Sequence, residues 1–382
     1  MPSPLSIPVE FICFALTLAG VALFQRHTLK VALSGLGTIT LYKLLFTGFK
    51  DGVGLAGLGA HLAHEWVILA NLLGLLVGFA VLSRHFEESR LALVLPRILP
   101  DDWKGGLLLL FSIFVASSVL DNIAAALIGG ATARVLFRGK VHISYLTAIV
   151  AAANAGGTGS VLGDTTTTMM WIHGISPRYV FNAYVAALCA FAVFSFFAAH
   201  TQHRYSPIIK DSPDSVRLDW ARVGIAAAIL ASIIVTNLAA HRYSPQILDR
   251  FPLLGAAVWL TILFLTPIRK PAWSVLPEAL KGSIFLLALV LCASMMPVEK
   301  LPPASWPTTL GLGFLSAVFD NIPLTALALK QGGYDWGFLA YAVGFGGSMM
   351  WFGSSAGVAL SNSFPEARSV GLWLRQGWFL PL

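Results

Sequence analysis

Three aspartates interrupt apolar stretches of this sequence. Asp121 and Asp320 occupy the same place in two near-copies of one segment, Ser-Ser-Val-Leu-Asp-Asn-Ile at 117–123 and Ser-Ala-Val-Phe-Asp-Asn-Ile at 316–322, identical at five of seven positions. Asp164 closes a glycine-rich run, Asn-Ala-Gly-Gly-Thr-Gly-Ser-Val-Leu-Gly-Asp, that begins at Asn154. In lipid an ionisable side chain costs about 3 kcal/mol or more and marks a functional site by default. The plainer reading of each acid is a cap on the helix that follows. The recurrence of the Asp-Asn pair, with Asn122 and Asn321, favours a shared site.

The chemistry open to such a set is that of a hard cation, which takes oxygen ligands. The candidate ion-binding residues are Asp121, Asn122, Asn154, Ser160, Asp164, Thr165, Thr166, Asp320, Asn321, Ser348, Ser354 and Ser355, with further hydroxyls at Ser117, Ser118 and Ser316. Na+ would be held through Asp121, Asp164 and Asp320. Burial favours a protonated carboxyl and a bound cation favours the ionised one. A carboxylate that meets both ions in turn is therefore a minimal antiport device. Thr167 and Thr168 are expected to bond back to the helix backbone.

The elements that must position these residues are membrane helices. Of the 382 residues 57% are hydrophobic and 11% charged, against about 25% charged in soluble domains, so lipid is the expected solvent. The net charge of +7 fits cytoplasmic loops rich in Lys and Arg and gives no ground for a nucleic-acid partner. Spans of about 20 apolar residues are expected near 8–25, 31–48, 65–83, 180–199, 220–240, 252–267 and 281–297. The first lacks the flanks of a removed signal and reads as a retained helix. The tail from about 370 reads as the start of a span that stops short at Leu382, which suggests a natural chain that continues.

Four segments depart from this pattern. Residues 106–137 and 307–330 are broken at Asp-Asn, 142–172 at Asn154 to Thr168, and 336–362 at Gly346 to Ser355. Gly156-Gly157 with Gly163, and Gly346-Gly347 with Gly353, keep the same spacing. Broken helices recurring in two halves point to a transporter with its site at the repeat interface. As one helix, 106–137 would run about 48 Å against a ~30 Å core, so a re-entrant hairpin is expected. With the loops holding Arg84, Arg90, Arg97 and Lys104, then Arg134, Arg138 and Lys140, then Arg204, Lys210 and Arg217, then Arg269, Lys270 and Lys281 inside, 18 Lys and Arg fall inside and 7 outside. The N-terminus is then outside and the repeats are inverted. The fold expected is an all-α polytopic membrane protein. Residues 1–105 form scaffold helices, 106–199 the first repeat core, 200–280 a cytoplasmic loop and scaffold helices, and 281–382 the second repeat core.

Other motifs carry less. His61-x-x-His64-Glu65 is not His-Glu-x-x-His and is expected in an outer loop. The Gly-Gly-Thr-Gly-Ser run lacks the Lys-Ser/Thr ending of a phosphate loop. Cys13, Cys189 and Cys292 are far apart and read as small buried hydrophobes. No cofactor is expected beyond the transported Na+ and H+.

Ala153 to Ile172, with Asn-Ala-Gly-Gly, a serine, Gly-Asp, a threonine run and Met-Met-Trp, resembles the signature of NhaD-type sodium/proton antiporters. Ser316 to Leu324 and Gly346 to Val358 resemble that family's second-half motifs, and the resemblance covers about 100–365. It implies membership of the wider ion-transporter superfamily. With that come inverted repeats, two re-entrant hairpins, two broken helices, a homodimer, elevator-like movement of the site, and residence in the cell inner membrane. Li+ is a second candidate cation.

The rival reading is a carrier of citrate, dicarboxylates or arsenite on the same fold. Such carboxylate carriers place neutral Ser-Asn-Thr groups at the hairpin tips, and an Asp there would repel an anionic substrate. An enzyme would need a nucleophile–base pair or a metal cluster, and no such set is legible.

Overall fold

A computed structural model describes residues 7–24, 27–50, 52–90, 99–208, 218–244 and 246–380. Arg97, Lys210 and Arg217, which entered the charge count, lie outside the described residues. Among the described residues the regular elements are helical, in the order α1 Val9–Leu23, α2 Thr28–Tyr42, α3 Gly54–Glu88, α4 Trp103–Ser117, α5 Asn122–Leu136, α6 Ile143–Thr158, α7 Thr165–Ile172, α8 Pro177–Phe181, α9 Ala183–Tyr205, α10 Trp220–Tyr243, α11 Gln246–Arg250, α12 Leu253–Leu265, α13 Leu276–Ser294, α14 Trp306–Ser316, α15 Asn321–Gln331, α16 Trp336–Gly346, α17 Ser355–Ser363 and α18 Val370–Gln376. Among the described residues five helical stretches are long and apolar enough to cross a membrane: Thr28–Thr47, Gly54–Glu88, Pro177–Tyr205, Trp220–Ala240 and Trp273–Ser294.

The four interrupted segments break where polar residues and glycine accumulate. Residues 118–121 separate α4 from α5, which rules out one long helix over 106–137. Each of these helices has 15 residues, about 22 Å, too short to cross a ~30 Å core alone. They pack on each other and on α6. The second-half segments break at 317–320 and 347–354. Polar groups at the breaks hold the restarted helices: Asp164 Oδ1 accepts from Thr166 N at 2.9 Å, Asp320 Oδ1 from Ile322 N at 3.0 Å, and Ser354 Oγ from Gly357 N at 3.2 Å.

Corresponding contacts recur in the two halves. Ser117 Oγ donates to Ala153 O and Ser316 Oγ to Val343 O. A Cβ on Gly156 would lie 2.0 Å from Phe114 O, and one on Gly346 2.1 Å from Gly313 O. Only glycine permits these approaches. The second helix of each pair reaches across: α5 packs on α17, and α15 on α7.

Around these elements stand two groups. Helices α4, α5, α6, α9, α16 and α17 share one apolar core with Trp373 of α18. On the other side α3 packs on α10, α12 and α13, and α13 on α2.

Four expectations change. Helix α3 begins at Gly54, so His61-x-x-His64-Glu65 is helical rather than in a loop. The sequence from Gly54 is apolar enough to continue the helix, and buried His61 sets Nε2 3.0 Å from Ser294 Oγ. Helices α1 and α12, at the spans expected near 8–25 and 252–267, have 15 and 13 residues, about 22 and 20 Å, shorter than a span. The segment from 370 begins with a seven-residue helix docked on α6 and capped by Gly377, with Trp373 Nε1 donating to Ser348 O at 3.2 Å. Cys189 is exposed, while Cys292 is buried.

Candidate functional site

The breaks bring the sequence-designated residues to one place. Asn122 starts α5 and Asn321 starts α15, and the Nδ2 of each donates to the same atom, Asp164 Oδ2, at 3.5 and 3.3 Å. Asn122 Nδ2 also donates to Asn154 Oδ1 at 3.2 Å. Asn154, with no exposed surface, donates in turn to Ser348 Oγ at 2.9 Å and Ser354 Oγ at 3.1 Å. One buried network therefore joins both helix pairs and both broken helices. A buried polar network satisfied throughout is rigid and specific in geometry.

Asp164 divides its carboxylate: Oδ1 holds the first turn of α7, and Oδ2 faces the asparagines. Asp121 precedes α5 without the capping hydrogen bond that Asp164 and Asp320 make. Asp121, Asn122, Asp164, Thr165, Asn321 and Ser355 line one cavity of about 530 Å³ between the breaks and helices α3 and α13. Asp320 faces a separate, smaller cavity of about 280 Å³ together with Ser354 and Ser355. Its Oδ2 accepts from Ser355 Oγ at 3.2 Å, and Ser355 lines both cavities.

The remaining residues have other surroundings. Ser160 accepts from Leu162 N at 3.2 Å through Oγ and from Thr167 Oγ1 at 2.6 Å through its carbonyl, so it shapes the break. Thr166 is buried beside Asp164 through its N–H. Thr167 and Thr168 donate to Asp164 O at 2.8 and 3.0 Å, bonding back as expected.

The far wall of the larger cavity was missed by sequence reasoning. Helix α3 supplies Arg84 and Glu87, α13 supplies Glu278 and Ser283, and the turn before α13 supplies Ser274. Arg84 is neutralised by Glu87 at 2.8 Å and Glu88 at 3.3 Å. Arg222 reaches Glu88 at 2.7 Å, and Arg269 reaches Asp219 at 2.9 Å, holding that loop carboxyl below its ordinary value. The only sequence signal for this wall was the cluster of charges after residue 83.

No family model matches the chain. Curated relatives do. Sodium/proton antiporter 1 of Arabidopsis thaliana is 28% identical over 283 residues, 65% of this chain and 48% of that protein. Sodium/proton antiporter 2 of the same plant is 26% identical over 287 residues, 65% of this chain and 67% of the relative. Na(+)/H(+) antiporter NhaD of Alkalimonas amylolytica is 28% identical over 305 residues, 65% of this chain and 61% of the relative. The chain thus spans about half to two thirds of these relatives. With the quoted motifs meeting in one buried network, the resemblance holds: the chain is a relative of the NhaD-type sodium/proton antiporters.

Proposed function

We propose that the chain exchanges Na+ for H+ across the membrane through Asp121, Asp164 and Asp320, with Li+ as a second cation. The observation that carries this reading is the convergence of Asn122 and Asn321 on Asp164 Oδ2 beside a cavity shared with Asp121. Each amide that donates through Nδ2 also bears an acceptor, Oδ1. A turn about the last side-chain bond would offer that oxygen to a cation held by the carboxylates. When the cation leaves, protonation removes the cost of uncompensated buried charge.

Movement is elevator-like in this proposal. The paired and broken helices carry the site, and α3, α10 and α12 stay as scaffold. The placement of the larger cavity between these groups supports that division. The short paired helices support re-entrant hairpins, and the recurring contacts support inverted repeats. A homodimer and the cell inner membrane rest on the family resemblance alone. Carboxylates lining the cavity disfavour an organic anion as substrate.

The test is reconstitution in liposomes holding a pH dye, with sodium, lithium, potassium, citrate and arsenite added in turn. Proton movement is expected with sodium and lithium. Movement with citrate alone would overturn the proposal. D121N and D320N, in which Asn keeps a good helix start, are expected to lose full pH-dependent sodium exchange.

A further inference from the structure

Helix α3 lines two cavities, one along each half of its length. Residues 76–87 border the larger cavity beside Asp164, and residues 63–71 border another of about 540 Å³. Helix α7 touches both: Asp164 and Thr165 at its start face the first, and Trp171 and Ile172 at its end, with His173, face the second. Asn237 of α10 and Leu254 of α12 also line the second. Helix α3 is long and apolar enough to cross a membrane, so its two halves face opposite sides. Exposed His64 and His173 mark the opening of the second cavity, as exposed Arg84 marks that of the first.

The partition between the cavities is thin and apolar. Along α3 it runs from Asn71 to Leu76, about 8 Å, and along α7 from Thr165 to Trp171, about 9 Å. Buried Leu75, Leu120, Leu162 and Trp171 belong to one apolar cluster. The α3 side is fixed to α12: Asn71 Oδ1 accepts from Gly255 N at 3.0 Å, Trp259 Nε1 donates to Gly74 O at 3.1 Å, and a Cβ on Gly74 would lie 2.8 Å from Gly255 Cα. The α7 side begins at the break that follows Thr158.

We infer that the second cavity is the vestibule through which the site exchanges ions with the opposite face of the membrane. A shift of α7 by about 9 Å, the thickness of the partition, would carry Asp164 to its edge. This rests on the antiport reading above. The competing explanation is a surface recess with no part in transport. Asn71, Asn237 and two imidazoles in the wall favour the vestibule, because a hydrated cation needs polar surface and a recess against lipid does not.

The experiment uses sealed membrane vesicles of both orientations and a C189S background, which removes the exposed native thiol. I68C reports on the second cavity and S83C on the first. Membrane-impermeant cationic and anionic methanethiosulfonates of similar size are applied from each side. S83C is expected to react from one side and I68C from the other. With Na+ supplied on the I68C side, the cationic label at I68C is expected to raise the apparent KM for Na+ about tenfold over the anionic one, because charge in a cleft sets the local cation concentration. Reaction of both positions from one side overturns the inference. So does an equal effect of the two labels, or none, which would leave the cavity a recess. A63C, at a more exposed point of the same cavity, repeats the measurement independently of the folding of I68C. Native protein that moves no protons with Na+ sinks the antiport reading, and this inference with it.

Discussion

Asn122 and Asn321, at the starts of two helices in different halves of the chain, donate to a single oxygen, Asp164 Oδ2. Neither lies near Asp164 in sequence, so the site forms only when both helix pairs are seated against the first broken helix. In the proposed exchange, a cation that withdraws Oδ2 from the amides changes contacts on α5 and α15 together.

This geometry makes the two asparagines energetically coupled. N122A and N321A should each weaken apparent sodium affinity in the liposome assay. The double variant should lose less than the sum, with a coupling of about 0.5–3 kcal/mol. Strict additivity would show that the shared oxygen does not connect them.

Gly156 and Gly346 are expected to be the least replaceable glycines of the broken helices. An alanine Cβ at either would meet a carbonyl oxygen near 2 Å and force helices apart at about 1–3 kcal/mol. Thermal unfolding in detergent should show G156A and G346A destabilised. G224A is the control, because a Cβ there meets nothing within 4 Å and alanine favours the helix.

Glu278 is exposed and lines the larger cavity, and no ion pair offsets its charge among the described residues. E278Q should raise the apparent KM for sodium about twofold at low ionic strength, the size of one screened charge near 10 Å. The maximal rate should not change, and the difference should vanish in high salt. A salt-independent KM effect would point to direct contact instead.

Asp219 tests the ion network that reaches Arg84 through Arg222 and Glu88. Arg269 depresses its carboxyl, so its contribution to stability is present above the unfolded value of about 3.9 and is lost as pH falls through the folded value. D219N should melt slightly below the native protein at neutral pH, a small effect at a solvent-screened site. The gap should close on acidification below about pH 4. A gap that widens in acid contradicts this assignment.

The sequence by itself determined which residues could serve, because an acid inside an apolar run has few neutral explanations. The repeated Asp-Asn and the spaced glycine pairs also marked where helices must stop, since local backbone chemistry decides a break. Only the tertiary structure decided which oxygens meet. It separated Asp320 into its own cavity beside Ser355, turned Ser160 inward to shape a loop, and made Asn154 the link between Ser348 and Ser354. It also supplied a far wall from α3 and α13. These outcomes depend on how distant helices cross and rotate, and helix rotation is set by packing over the whole fold rather than by any local run of residues.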